Sequence, residues 1–254
     1  MPDQGTKKKL TKVEGGTTAT ASTKPFVPTG ESKGKAKTLR LFAVLAFIAA
    51  IAFEIAAILQ LQKVPVNTAG LIVFIVADLI FAVIGSMLWK KANRLDPASE
   101  AQKFRFFVQN QLGAILGVIA FLPLVILIFT NKNMKGKQKG LVGAVAVAAL
   151  LIAGISGIDF NPPSVEQYTA QTAQVESLND GVNHVFWTKS GSSYHLYSDC
   201  SYINTDRTNE IFEGTVAQAR ELKNITDLCD RCEDRAEKEK GLKALPAAVG
   251  GKTN

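Results

Sequence analysis

Cysteine and histidine are scarce in this chain of 254 residues, which contains three cysteines and two histidines. An odd number of cysteines with one close Cys-x-x-Cys pair argues against a disulfide framework and favours metal binding. The G-x-S-x-G, H-E-x-x-H and P-loop motifs are also missing, so no arrangement of nucleophile, base or phosphate-binding loop is visible. We therefore expect a protein that is not an enzyme.

Positive charge is missing where a nucleic-acid-binding domain would need it. The net formal charge is +6 over residues 1–40, +6 over 41–158 and −5 over 159–254. Because nucleic-acid binding requires a basic face, the acidic C-terminal part makes nucleic acid an unexpected partner.

Large apolar residues are almost absent from the first 38 residues, which are rich in Lys, Thr, Gly and Ser. Such a segment buries too little surface to offset the entropy lost on ordering, so we predict a disordered basic tail over 1–38. A cleaved signal peptide is not expected, because the first apolar run starts late and is long. A second flexible tail is predicted over 241–254.

Long apolar runs dominate the middle of the chain. Each has about the length that a helix needs to cross about 30 Å of hydrocarbon at about 1.5 Å per residue. The sequence therefore predicts a mainly α fold, with a four-helix transmembrane bundle over 39–158 and a small α+β zinc-binding C-terminal domain. The predicted spans are 41–61, 69–89, 112–130 and 141–158.

The third run carries two features that bear on helix packing. Gly113 and Gly117 form a G-x-x-x-G pattern, and small residues let helices approach closely in lipid. Pro123 is expected to kink the same helix. Together with the Gly- and Ala-rich fourth run, these residues predict a packed bundle rather than separate helices.

Lysine and arginine set the expected orientation, because cytoplasmic loops carry more of them. The basic N-terminal segment and the basic second loop are expected inside. The third loop, 131–140, holds four lysines and no acid, which conflicts with the outside position that four crossings would give it. A re-entrant third run would keep that loop inside and export the C-terminal domain. We favour four crossings of the cell membrane with both ends cytoplasmic, and the alternative stays open.

Two carboxylates lie inside the predicted spans, Glu54 in the first and Asp78 in the second. A carboxylate in hydrocarbon costs at least about 2.5 kcal/mol on insertion scales, so such residues usually face partners or water. If the two helices run in opposite directions across the membrane, a rise of about 1.5 Å per residue places the two carboxylates at depths that differ by only about 5 Å. They would form a proton or cation site, or else be protonated and hydrogen-bonded within the bundle.

The acidic C-terminal part has local signals for regular structure. A linker or helix is expected over 159–181. Residues 182–188 and 193–197 are typical of two short strands joined by a Ser-Gly-Ser turn. Thr215 and Gln218 form a capping box that should start a helix reaching about residue 222. Residues 229–240 are expected to form a second helix.

Four residues of this part have the spacing of metal ligands. His195-x4-Cys200 is followed by Cys229-x2-Cys232. Two thiolates two residues apart can hold one ion from a turn that opens a helix, and one His with three Cys is a closed tetrahedral set for structural Zn²⁺. A small domain with few apolar residues would gain stability from such a site. The other histidine, His184, is expected on a strand surface.

A redox role is the alternative for these cysteines. In that interpretation Cys229 and Cys232 form a thiol-disulfide pair and Cys200 is an ordinary buried thiol.

The same residues carry a resemblance to a known family. The stretches are VFWTKSGSSYHLYSDC at 185–200, GTVAQAR at 214–220 and LCDRC at 228–232. They resemble the zinc-binding module of the bacterial Ada DNA-repair proteins, in which four cysteines bind zinc and the first accepts a methyl group from DNA phosphate. His195 stands at that first position, and imidazole cannot replace the thiolate. The resemblance therefore implies a zinc fold over 182–240 without methyl transfer, attached to an uncharacterised bacterial membrane protein.

These features favour a membrane-anchored binding or sensor protein, with the zinc module as a platform for a protein partner. One alternative is a small transporter or channel subunit that uses Glu54 and Asp78. Another is a membrane-anchored thiol oxidoreductase that uses Cys229 and Cys232. The oligomeric state is not predicted.

Overall fold

The computed structural model describes residues 9–13, 25–223 and 225–241. The chain divides into two compact units, Pro28–Ser164 and the combination of Met1–Val27 with Val165–Asn254. The first unit is a bundle of four long apolar helices, and the second is a small α+β unit. The predicted mainly α fold class is therefore confirmed.

Four long helices build the first unit, and each is long and apolar enough to cross a membrane. The third is continuous over 28 residues, with Pro123 inside it. The helices are α1 Gly30–Leu61, α2 Thr68–Leu95, α3 Lys103–Thr130 and α4 Gly136–Gly157.

The outer surface of this bundle carries many large apolar side chains. Large side chains such as Ile48, Ile80 and Ile152 are at least half exposed. The interior instead contains many alanines together with Leu71, Phe121 and Leu124. A water-soluble bundle would carry polar residues on its outer faces, so this distribution fits helices surrounded by lipid.

Small residues bring α3 and α4 into close contact. A Cβ atom added at Gly117 would lie 3.2 Å from the Ala153 side chain, and one added at Gly113 would lie 2.6 Å from the Ser86 hydroxyl of α2. A Cβ at Gly157 would clash with the backbone of Gly113 and Ala114. The expectation of a packed bundle is confirmed, and the G-x-x-x-G residues lie at the contact.

Polar side chains connect the helices at the end of the bundle where α2 ends and α3 begins. Arg40 of α1 forms a salt bridge with Asp96, 2.6 Å between Nη1 and Oδ2. The Asn93 amide and the Trp89 indole both donate to the Gln109 carbonyl, at 2.8 and 2.7 Å. Because these bonds join three helices, they fix the relative positions of α1, α2 and α3 at this end.

The prediction of a disordered segment over 1–38 is wrong for two stretches. Residues 30–38 belong to α1, because the Thr29 hydroxyl accepts a hydrogen bond from the Ser32 amide and caps the helix. Residues Lys9–Lys12 form strand β1, which gains its backbone hydrogen bonds from a partner strand far along the chain. Residues 1–8 and 14–24 lie outside the described residues, as does 242–254 of the predicted second tail.

The second unit begins with helix α5, Val165–Leu178, within the predicted linker region. A three-stranded sheet has the order β1-β4-β2, with β2 Val185–Thr188 antiparallel and β1 parallel to β4 Glu210–Gly214. A second sheet pairs β3 Ser193–Tyr194 with β5 Asp227–Leu228. The predicted strands are present but shorter, and β4 and β5 were not predicted.

Helices α6, Val216–Lys223, and α7, Asp230–Lys240, complete this unit. The capping box before α6 is confirmed, because the Gln218 side chain accepts from the Thr215 amide at 2.8 Å and the Thr215 hydroxyl accepts from the Gln218 amide at 3.3 Å. The predicted second helix is α7, which begins one residue later than expected, with Cys229 as its N-cap.

Candidate metal centre

The four predicted ligands converge on one point in the small unit. The ligand atoms of His195, Cys200, Cys229 and Cys232 all lie within 4.8 Å of one another. All four side chains are buried, with exposed fractions of 1–5%. Residues separated by more than thirty positions in the sequence therefore form one compact donor set.

Different elements hold the ligands in position. His195 follows β3 and exchanges two backbone hydrogen bonds of 2.7 Å with Phe186 of β2. Cys229 is held at the end of β5, where its amide donates to the Tyr194 carbonyl at 2.9 Å. Cys232 lies in the first turn of α7 and donates its amide to the Cys229 carbonyl at 2.9 Å. The strand pair β3–β5 thus brings the histidine to the Cys-x-x-Cys turn.

Two of the separations between the donor atoms are close to those of a tetrahedral zinc site. With about 2.3 Å for a Zn–S bond and about 2.0 Å for a Zn–N bond, a tetrahedron requires about 3.8 Å between two sulfurs and about 3.5 Å between sulfur and nitrogen. The structure has 4.0 Å between the sulfurs of Cys200 and Cys229, and 3.6 Å between Cys232 Sγ and His195 Nδ1. The four residues could therefore hold one metal ion. The identity of that ion does not follow from these distances.

The three cysteines are free, and none forms a disulfide. Burial raises the pKa of the Cys229 thiol, although the backbone amides of Cys232 and Arg231 act in the opposite direction. Burial also raises the pKa of the Cys232 thiol to about 12 and lowers the pKa of His195 to about 4. Without a cation these groups are therefore neutral at pH 7. A bound cation would reverse the balance for the thiols, because it favours the thiolate.

Backbone amides act on the thiols of the Cys-x-x-Cys pair. Burial is the larger effect and raises the pKa of both thiols, but the amides of Cys232 and Arg231 favour the thiolate of Cys229, and those of Tyr197 and Leu196 favour the thiolate of Cys232. Polar groups around the ligands commonly support metal-bound thiolates.

Side chains from α7 hold the turn that contains Cys200. Arg235 donates to the Asp199 carboxylate at 2.9 Å, and its guanidinium lies over the Tyr197 ring, 4.0 Å from the centroid. The Tyr197 hydroxyl donates to Glu239 at 2.8 Å. Because these groups are largely exposed, each contact contributes little to stability, and their effect is to orient the Cys200 turn toward α7.

The metal ligands are also part of the hydrophobic core. The three cysteines belong to the same cluster of buried side chains as Trp187, Tyr194 and Ile203. The core of this unit is small, so a metal ion joined to four of its residues would connect the sheets and α7 directly.

The second histidine is not part of this group. His184 Nε2 lies 3.7 Å from the Glu213 carboxylate, and its ring packs edge-on against Phe186 at 4.8 Å between centroids. The expectation that His184 lies on the strand surface rather than in the ligand set agrees with these contacts.

A polar cleft opens beside the ligands. It has a volume of about 340 Å³ and is bordered by His195 and Cys229. Hydroxyl groups and carboxylates, including Ser192, Asp227 and Asp230, line another part of it, together with Ile203 and Leu228. The sequence offered no sign of this cleft, because its walls combine residues of β2, β3 and β5 with adjoining loops, and their positions depend on the β3–β5 pairing.

The two carboxylates predicted inside the membrane are buried in the helical bundle. Glu54 of α1 is 8% exposed and Asp78 of α2 is fully buried. Both side chains belong to the buried faces of neighbouring helices. Neither oxygen of Asp78 has a hydrogen-bond partner among the described residues.

Comparison of this chain with protein-family models, with curated proteins and with solved structures gives no match.

Proposed function

We propose that the small unit is a structural zinc module and that the protein presents it at a membrane as a binding or sensor element. The observation that carries this proposal is the set of four buried donor atoms within 4.8 Å of one another. Three thiolates and one imidazole are a ligand set that favours Zn²⁺. Nearby backbone amides that favour the thiolate forms of Cys229 and Cys232 support the same assignment.

A structural role is favoured over a catalytic one. Catalytic zinc keeps one position for water or substrate, whereas four protein ligands fill a tetrahedral site. The ligands are buried within the core cluster of the unit. Burial also disfavours the thiol oxidoreductase alternative, because exchange at Cys229 and Cys232 requires an accessible sulfur.

The binding role rests on the cleft beside the metal ligands. Its hydroxyl and carboxylate lining suits hydrogen bonding to a polar or basic segment of a protein partner. The resemblance to Ada-type modules adds support for a zinc fold, and His195 at the methyl-acceptor position argues against methyl transfer. The net charge of −5 over residues 159–254 argues against DNA as the partner.

We propose that both chain ends lie on the cytoplasmic side. Strand β1 precedes the first apolar helix, and its partner β4 follows the last one. Strands of one sheet are on one side of the membrane, which requires an even number of crossings. This supports four full spans over a re-entrant third run. The basic residues of the N-terminal segment and of the second loop favour the cytoplasm as the side that holds both strands. The four lysines of the third loop, which would then lie outside, favour the opposite orientation.

Metal analysis of the full-length protein tests the zinc proposal. The purified chain should contain about one zinc per molecule, and His195→Ala should lose most of it. His184→Ala is the matched control, because it removes the other histidine and should keep the zinc. Metal-free wild-type protein with an unchanged fold would refute the proposal.

Site-specific crosslinking tests the binding role. A photo-crosslinking residue at Ser192, in the cleft, should give a defined adduct in intact cells. The same residue at exposed Ser177, on α5 and outside the cleft, is the control. Identical adduct patterns at both positions would argue against the cleft as a binding surface.

A second candidate function uses the intramembrane carboxylates. We propose it because Asp78 is fully buried without a hydrogen-bond partner among the described residues, beside Glu54. Such a pair could hold a proton or a small cation. Vesicles containing the wild-type protein should then show proton or cation flux that is lost in the double variant Glu54→Gln, Asp78→Asn. Equal flux in both samples would exclude this function.

A further inference from the structure

An apolar groove opens on the surface of the helical bundle, at the end where α2 ends and α3 begins. Its volume is about 500 Å³. The side chains of Trp89, Val108 and Leu112 form its walls, and the ring of Phe104 beside it is 82% exposed. The groove lies on a membrane-crossing bundle, at the level of the Trp89 indole, where interfacial aromatic residues are expected.

Two arginines border this apolar groove, and they differ in their pairing. Arg40 is compensated by its salt bridge with Asp96. Arg105 donates a hydrogen bond to the neutral Gln102 side chain at 3.4 Å and forms no salt bridge with an acid among the described residues. The mouth of the groove therefore carries an uncompensated positive charge next to an apolar surface.

The start of α3 adds to this positive potential. The helix has no side-chain cap at Gln102 and no acidic residue in its first turn, which instead contains Lys103 and Arg105. Helix N-termini favour anions, and cations there are unfavourable. An anion bound at this end of the groove would interact favourably with the helix N-terminus and the two side chains together.

We propose that this groove binds an acidic phospholipid. One acyl chain would lie along Trp89, Val108 and Leu112, and the phosphate would lie at Arg105 and the first turn of α3. Charge complementarity distinguishes this occupant from a zwitterionic lipid, which would fill the apolar walls equally well but leave Arg105 without a net negative partner.

Quenching of Trp89 fluorescence by brominated lipids tests the proposal. The full-length protein is placed in vesicles that mix phosphatidylglycerol and phosphatidylcholine, with bromine on the acyl chains of one lipid at a time. Trp187, the second tryptophan, is buried in the small unit and supplies a constant background. We expect brominated phosphatidylglycerol to quench Trp89 at least threefold more effectively than the brominated zwitterionic lipid at equal mole fraction.

Two variants separate a specific site from general attraction to the surface. Arg105→Gln should bring the quenching ratio close to one. Lys91→Gln removes one charge from the exposed end of α2 without lining the groove, so the ratio should not change. Equal quenching by both lipids in the wild-type protein, or an equal loss in both variants, would overturn the proposal.

Two further measurements test the proposal: a variant that blocks the groove sterically, and a count of the lipid molecules that remain bound to the protein. Leu112→Phe keeps every charge and fills the groove, and it should also lower the ratio. Native mass spectrometry of the wild-type protein released from detergent should show one retained phosphatidylglycerol, which Arg105→Gln loses. Retention of phosphatidylcholine at the same level would contradict acidic-lipid selectivity.

Discussion

Zinc should set the stability of the small unit, and the size of the effect can be estimated. A ligand that binds only the folded state stabilises it by about 1.4 kcal/mol for each tenfold increase in free concentration above the dissociation constant. For a domain of 60–100 residues, about 1 kcal/mol shifts the melting temperature by about 4–8 °C. Each tenfold increase in free zinc should therefore raise the melting temperature of this unit by about 6–11 °C.

The assay is thermal unfolding in metal buffers, followed by the fluorescence of Trp187, which is 1% exposed in the core of the unit. A Trp89→Phe background removes the other tryptophan. In His195→Ala the dependence of the melting temperature on free zinc should largely disappear, because the three remaining ligands do not complete the tetrahedral site. His184→Ala should retain the full slope. A wild-type melting temperature that does not change with free zinc would refute the metal site, as would an equal slope in His195→Ala.

Three further outcomes are expected. Gly157→Ala should destabilise the bundle by about 1–3 kcal/mol or more, because a Cβ atom there meets the α3 backbone. Gly154→Ala is the control and should be tolerated, because nothing lies within 4 Å of its added Cβ atom. Comparable thermal stability of the two variants in detergent would contradict this packing. Thr215→Ala should lower the free energy of unfolding of the small unit by about 1 kcal/mol, because it removes the cap of α6. Thermal unfolding followed by Trp187 fluorescence measures this change, and an unchanged stability would show that the cap does not contribute. Burial lowers the pKa of His195 from 6.5 to about 4. In the metal-free unit, the contribution of this histidine to the free energy of unfolding should therefore be complete above pH 6.5 and should be lost as the pH falls toward 4. An acid transition that is unchanged in His195→Ala would show that another group is responsible.

The four long apolar helices and the Cys-x-x-Cys part of the candidate metal centre could be predicted because their signals are local in sequence. Each apolar run is uniform over a length that only a membrane requires, and the Cys229-x2-Cys232 pair lies within one turn. The helix ends were not predictable to the same degree. Helix α1 begins within polar residues because Thr29 supplies its N-cap. This start could not be predicted, because a lysine-rich sequence is compatible with helix as well as with disorder.

The sheet that supports the site could not be predicted, because it depends on distant pairings. Strand β5 contains two residues, Asp227 and Leu228, and gains its structure from β3. Strand β1 pairs with β4 across about two hundred positions of sequence, and a Lys-Leu-Thr-Lys segment has no strand signal of its own. Pairings of this range follow from tertiary packing rather than from the pattern of a short segment.

The pairing of β1 with β4 also determines how the small unit can be produced by itself. A fragment that begins at residue 165 would lack β1, and the outer backbone groups of Glu210–Gly214 would become an open edge. Open edges pair readily with other chains, so such a fragment is prone to self-association through this strand. Fusing residues 9–13 to its N-terminus through a flexible linker would close the edge again. The two fragments would then differ in aggregation while keeping the same four metal ligands.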